Sequence, residues 1–259
     1  MLGAVIGDIV GSVYEFNNHR FKTFQPFFHG EAAFTDDTVC TIAVADALIH
    51  DKCPARTLKL WGRRYWANGG WGRSFAVWLK GDSLEPYGSF GNGAAMRVAP
   101  AGLLAQSLEE AHKLAAHVTQ VTHDHPEGLK GASATASAIY LARTGARRDE
   151  IRDYISTTFG YDLSRTVDEI RPDYVFNETC QHTVPEALIC ALSADDFEDA
   201  IRNAISIGGD SDTVAAIAGG VAEALHGIPD QIVRQAWQKL PVDMRQVLTK
   251  LYALEQKRS

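Results

Sequence analysis

Apolar residues recur at helical spacing from one end of this chain to the other, and strand-like alternation is almost missing. Ile6, Val10 and Val13 share one helical face, as do Val39, Ile42, Ala43 and Leu48, and later Val214, Ile217, Ala218, Val221 and Leu225. Further helices are expected near 54–67, 93–105, 108–119, 128–143, 148–158, 184–193, 195–206, 229–239 and 243–256. Helices with apolar stripes bury them against one another, so the fold class is all-α. The stretch 214–225 is dense in alanine and contains Gly219-Gly220, which costs helix propensity but allows close approach by neighbours, as in a central buried helix. His226-Gly227-Ile228-Pro229 supplies its stop signal. The segments 16–34, 69–92 and 159–183 read as irregular. They are long for connections in a compact domain, and long ordered loops usually belong to binding sites.

Composition sets outer limits. The 259 residues are 46% hydrophobic and 22% charged, enough for a substantial core, and no linker rich in Pro, Gly and Ser divides them. One domain spanning 1–259 is expected. The net charge of -7 gives no general attraction to phosphate backbones or anionic lipid, although a local patch such as Arg63-Arg64 could exist, so a nucleic-acid-binding module is disfavoured. No apolar run reaches the roughly 18–20 residues that span a bilayer, and Met1 to Asp8 carries no basic leader. Cys40, Cys53, Cys180 and Cys190 lack paired zinc-ligand spacing and mostly sit within apolar helical patterns, so they read as reduced, buried thiols. The expected location is therefore cytoplasmic, with no membrane partner.

Two acidic runs stand at expected helix starts. Thr35 can cap a helix whose first turn holds Asp36 and Asp37, where the helix dipole favours negative charge. Capping alone would explain that run. The second run, Gly209-Asp210-Ser211-Asp212-Thr213, is harder to explain so, because one cap does not need two acids. Its alternating acids can converge on one ion, and Gly208 and Gly209 let the backbone turn tightly. Brought together, Asp36, Asp37, Asp210 and Asp212 would repel unless compensated, and two divalent cations would balance them, with a single metal as the alternative. Carboxylates and hydroxyls without His or Cys suit hard ions such as Mg²⁺ or Mn²⁺.

These runs, with Gly7-Asp8, Gly11 and Glu15, with Gly91-Asn92-Gly93-Ala94-Ala95-Met96-Arg97, and with Thr122-His123, stand in an order that resembles the ADP-ribosylglycohydrolases over nearly the whole chain. The resemblance implies a single compact, orthogonal multi-helix domain with a binuclear Mg²⁺ or Mn²⁺ centre at the bottom of an ADP-ribose cleft. It implies hydrolysis of the bond between the distal ribose anomeric carbon and an acceptor, on an ADP-ribosylated protein or small molecule, with a nucleic-acid-linked acceptor also open. The metal ligands carried over by motif position are Thr35, Asp36, Asp37, Asp210, Asp212 and Thr213, with Ser211 at a variable position. In such enzymes the metals hold the ribose through its vicinal hydroxyls and can orient water.

Asp36 and Asp212 thus join Glu15 as candidate catalytic residues. Glu15 could bind a metal, gate the cleft or act as general base, and Asp8 could orient a neighbouring ligand or simply cap locally. Gly88, Ser89, Phe90, Gly91 and Asn92 are expected to contact ADP-ribose, their segment suiting backbone approach to a pyrophosphate. His123 is expected in the cleft, Met96 in the core, and Arg97 as an internal partner of the carboxylates. The aromatic segment 24–28 could rim or lid the cleft or pack in the core, and 171–186 could wall the cleft or pack as a surface loop. Two other functions fit the same residues: an ADP-ribose-binding protein without turnover, and a metal-dependent nucleotide phosphohydrolase. Neither the acceptor nor the oligomeric state can be read from these motifs.

Overall fold

The computed structural model describes residues 1–258. Among these residues there are fifteen α-helices and no strand; one isolated antiparallel bridge joins Gly91 to Thr179. In chain order they are α1 Leu2–Gly11, α2 Asp36–Ile49, α3 Pro54–Arg64, α4 Arg73–Lys80, α5 Gly93–Met96, α6 Ala99–Leu104, α7 Leu108–Thr119 and α8 Pro126–Arg143. Then follow α9 Arg148–Phe159, α10 Val167–Ile170, α11 Cys180–Leu192, α12 Phe197–Ile207, α13 Ser211–His226, α14 Asp230–Lys239 and α15 Val242–Arg258.

The hub is α13. Its residues Ser211 to Ala222 are all buried, and it packs on α1, α8, α11 and α12. Ala and Gly along this helix admit those neighbours, and one continuous apolar cluster runs from Met1 to Leu251. The helical periodicity read from sequence is thus the packing pattern of the molecule.

Four boundaries differ from the expectations, each for a local reason. The stretch 93–105 is two helices, because Pro100 lacks the amide to continue α5 and instead occupies the first turn of α6. Helix α11 begins at Cys180, ahead of 184, and keeps Pro185 inside it. Its start is pinned by the Cys180 amide donating to the Phe90 carbonyl at 3.0 Å. The segment 69–92 contains α4, which buries Phe75, Trp78 and Leu79, and 159–183 contains the single turn of α10. No described helix is long and apolar enough to cross a membrane. All four cysteines are free and three are buried as expected, but Cys53, at the N-cap of α3, is exposed.

Candidate active site

The seam between α1 and α13 builds the site. Gly3, Gly7 and Gly11 recur every fourth residue along α1, and a Cβ on Gly7 would stand 2.0 Å from the Ala215 carbonyl oxygen. A Cβ on Gly11 would stand 2.4 Å from Asp212 Cα. The helices therefore meet backbone to backbone, which lays Asp8 beside Asp212. At the head of α13, Gly208 and Gly209 both adopt φ of 74°, a left-handed conformation that turns the chain so that Asp210 and Asp212 face the first acidic run.

Helix α2 is fixed from outside itself. Asp8 accepts hydrogen bonds from the Thr35 amide at 2.9 Å, the Thr35 hydroxyl at 2.6 Å, the Thr38 amide at 3.0 Å and the Thr38 hydroxyl. It satisfies amides that an α-helix leaves open at its start. Thr35 also caps α2, its oxygen accepting from the Asp37 amide at 3.4 Å. Behind these, Thr213 donates to both Asp37 oxygens, at 3.1 and 3.3 Å, so the two acidic runs meet. Asn92 donates to Asp210 at 2.7 Å, and the Gly70 amide to Asp36 at 2.9 Å.

Two carboxylate groups result. One oxygen each of Asp8, Asp37 and Asp212 lie within 4.8 Å of one another, and so do oxygens of Glu15, Asp210 and Asp212. Asp212 belongs to both groups. Asp36 lines the same cavity but stands outside both, tied to Gly70, while Thr35 is tied to Asp8 and does not line the cavity. Asp8 thus caps α2 and orients the Thr35 hydroxyl, two roles that the sequence presents as alternatives, and it also belongs to a carboxylate group.

Burial and mutual repulsion dominate the electrostatics. Desolvation, then Asp8, Asp36 and Asp210, push Asp37 far above the ordinary carboxylate range, and desolvation, then Asp37 and Asp210, do the same to Asp212. Asp36 rises to about 7, chiefly through desolvation and then Asp8, and half-buried Glu15 to about 8, through desolvation and then Asp210 and Asp36. No ion pair with Lys, Arg or His engages these acids among the described residues. Clustered oxygen donors with uncompensated charge are the chemistry that hard divalent cations satisfy.

A cavity of about 290 Å³ opens above the carboxylates. Of the residues that the sequence assigns to ADP-ribose, Ser89, Gly91, Asn92 and His123 line it; Gly88 and Phe90 do not. Exposed Phe90 instead rests on His125 at the rim, ring centroids 5.1 Å apart. Buried His123 is held neutral by desolvation and by Arg97. Its Nδ1 lies 3.3 Å from an Arg97 donor, which leaves the Nε2 hydrogen directed toward Gly91 and Gly93. Arg97 donates to Thr122 at 2.6 Å, so it supports the His123 wall and not the carboxylates, contrary to expectation.

The sequence reading missed one wall of the cavity. Gly70, Gly72, Arg73, Ser74 and Phe75 line it, together with Tyr87 and Glu178. The available signal was the run Gly69-Gly70-Trp71-Gly72 ahead of a stripe Phe75, Trp78, Leu79 at helical spacing.

The family model of the ADP-ribosylglycohydrolases matches residues 1–259. The chain belongs to the ADP-ribosylglycohydrolase family. Among relatives of this ADP-ribosylglycohydrolase, ADP-ribosylarginine hydrolase Tri1 of Pseudomonas putida is 28% identical, across 92% of this chain and 74% of that protein. ADP-ribosylhydrolase ARH3 of Mus musculus is 26% identical, across 92% of this chain and 85% of that protein. A solved "ADP-ribosylglycohydrolase-related protein complex" chain superposes with a TM-score of 0.73 at 23% identity, across 98% of this chain and 95% of that one, and so shares the fold.

Proposed function

We propose that this ADP-ribosylglycohydrolase hydrolyses the bond between the distal ribose anomeric carbon of ADP-ribose and an acceptor, using two Mg²⁺ or Mn²⁺ ions. The observation that carries the reading is the sharing of Asp212 between two carboxylate groups. Asp37 and Asp8 would serve one ion and Asp210 and Glu15 the other, with Asp212 common to both. Asp36, Thr35 and Thr213 complete the oxygen set by motif position. Bound there, the ions would supply charge compensation, a grip on vicinal ribose hydroxyls and a more acidic water.

The remaining roles belong to the chain itself. Asn92 holds Asp210 by its amide, and Thr213 holds Asp37, so the carboxylates are oriented before any substrate arrives. The Nε2 hydrogen of neutral His123 is available to a sugar or phosphate oxygen along the cavity wall. Glu15, at the edge of the cluster, carries no hydrogen-bond donor on its carboxylate among the described residues, so an oxygen not spent on the ion can take the proton of the attacking water. The water oxygen bonds to the anomeric carbon, the bond to the acceptor breaks, and the proton that Glu15 took from the water leaves with the acceptor. The substrate is an ADP-ribosylated protein or small molecule.

The test is release of ADP-ribose from arginine-, serine- and nucleic-acid-linked substrates, with metal, with chelator and in Asp212→Asn. Turnover should require metal, and the variant should lose at least about 100-fold, more than loss of a residue that merely orients a ligand. Metal-independent turnover would remove the metal centre. Release of AMP or phosphate would identify a phosphohydrolase, and tight ADP-ribose binding without turnover a binding protein.

A further inference from the structure

The diphosphate of ADP-ribose needs donors, and the glycine-rich loop expected to supply them has spent most of its amides within the fold. The Gly88 amide donates to Asp124 at 2.8 Å, Ser89 to the Thr122 carbonyl at 3.4 Å, Gly91 to the Ser89 hydroxyl at 3.2 Å, and Asn92 to the Glu178 carbonyl at 2.7 Å. These bonds stitch the loop to its two neighbours. They leave the loop the Phe90 amide and the Ser89 hydroxyl hydrogen as donors, neutral groups that do not balance the charge of a diphosphate.

Every other charged group on the cavity wall is acidic except two. Arg97 is fully buried, with one terminal nitrogen held by both Thr122 and His123 and its Nε sealed from solvent. Arg73 is exposed, lines the cavity, and has no hydrogen bond or ion pair among the described residues. It stands three residues beyond Gly70, whose amide bonds Asp36 beside the cluster. The diphosphate is joined to the distal ribose through a single ester linkage, so a ribose seated over the carboxylates puts its first phosphate on the cavity wall close by. A doubly charged anion entering a cavity lined by carboxylates requires a cation there.

We propose that Arg73 binds the diphosphate of ADP-ribose, a role that rests on the function proposed above. A guanidinium presents paired N–H donors that match two phosphate oxygens, whereas an ammonium offers a point charge. Arg73 thereby selects for ligands that carry a phosphate on the ribose 5-position. It acts on binding and leaves the chemistry at the anomeric carbon unchanged.

The experiment is calorimetric titration of ADP-ribose and of free ribose, with Mg²⁺, into the wild-type protein, Arg73→Ala and Arg73→Lys, at low and high salt. Arg73→Ala should weaken ADP-ribose binding by about 10- to 100-fold, leave ribose binding unchanged and flatten the salt dependence, and Arg73→Lys should recover part of the loss. In turnover, KM should rise and kcat should hold. Thermal melts serve as the folding control, and exposure of Arg73 predicts that they coincide. Unchanged ADP-ribose affinity in Arg73→Ala, or a change in acceptor preference alone, would overturn the assignment while leaving the proposed function in place. A wild-type protein that binds no ADP-ribose would overturn both.

Discussion

The two sides of the cavity are built on opposite principles. On the α1–α13 seam, backbone meets backbone through glycines, and each acidic side chain is held by a hydroxyl, amide or carboxamide donor. On the Gly70–Phe75 wall the chain is largely exposed, Gly72 has open space around its Cα, and the link to the carboxylates is the single Gly70 amide on Asp36. A site that concentrates repelling charge needs a rigid frame on the side that holds the charge. The side that receives a ligand can be looser, because the ligand itself supplies contacts.

The contrast can be broken by substitution. The largest effect is expected from Asp212→Asn, which removes the carboxylate common to both groups and with it at least about 100-fold of the ADP-ribose release, measured against a folded control by circular dichroism. Next comes Gly7→Ala, where the new Cβ meets the Ala215 carbonyl oxygen and the helices must separate. Its cost should be about 2–3 kcal/mol in urea unfolding. Gly72→Ala on the facing wall should stay within about 0.5 kcal/mol, since nothing lies within 4 Å of the added Cβ. Equal costs at the two glycines would erase the distinction between frame and wall.

A pH series sharpens the same comparison. Asp36 and Glu15 have folded-state pKa values raised to about 7 and about 8 from ordinary values of 3.8 and 4.5, so the folded chain binds more protons than the unfolded chain between these limits. Their contribution is therefore fully present below about pH 4 and is lost as pH rises through 7 to 8. In chelator, the melting temperature should fall between pH 5 and 8. Added Mg²⁺ should reverse most of that loss and release protons, readable in weakly buffered solution. A chelated protein whose melting temperature is flat over this range would show that the carboxylates are not strained by their proximity.

How much of this was legible beforehand follows from the range of each interaction. The all-α class was readable because helical periodicity is local and recurs through the chain. The acidic runs were readable because both stand next to helix starts, and Thr35 caps α2 as its sequence position predicts. That Asp8 caps the same helix was not readable, since its partners lie 27 and 30 positions away. That the loop at Gly88 to Asn92 is stitched to Asp124, Thr122 and Glu178 was not readable for a similar reason, since those partners reach it only once the chain has folded. Arg97 was assigned to the carboxylates on charge alone, and burial beside Thr122 and His123 directs it elsewhere. Helix α4 was passed over because eight residues give its apolar stripe barely two turns to declare itself.

The most direct test of the central claim is the stoichiometry of Mn²⁺ binding, by equilibrium dialysis with electron paramagnetic resonance of the free ion, on the wild-type protein and Asp212→Asn. Two ions per chain in the wild type, with both sites weakened in the variant, is the result that a shared Asp212 predicts. Saturation at no ion or at one, or a variant that still binds two with unchanged affinity, would contradict it.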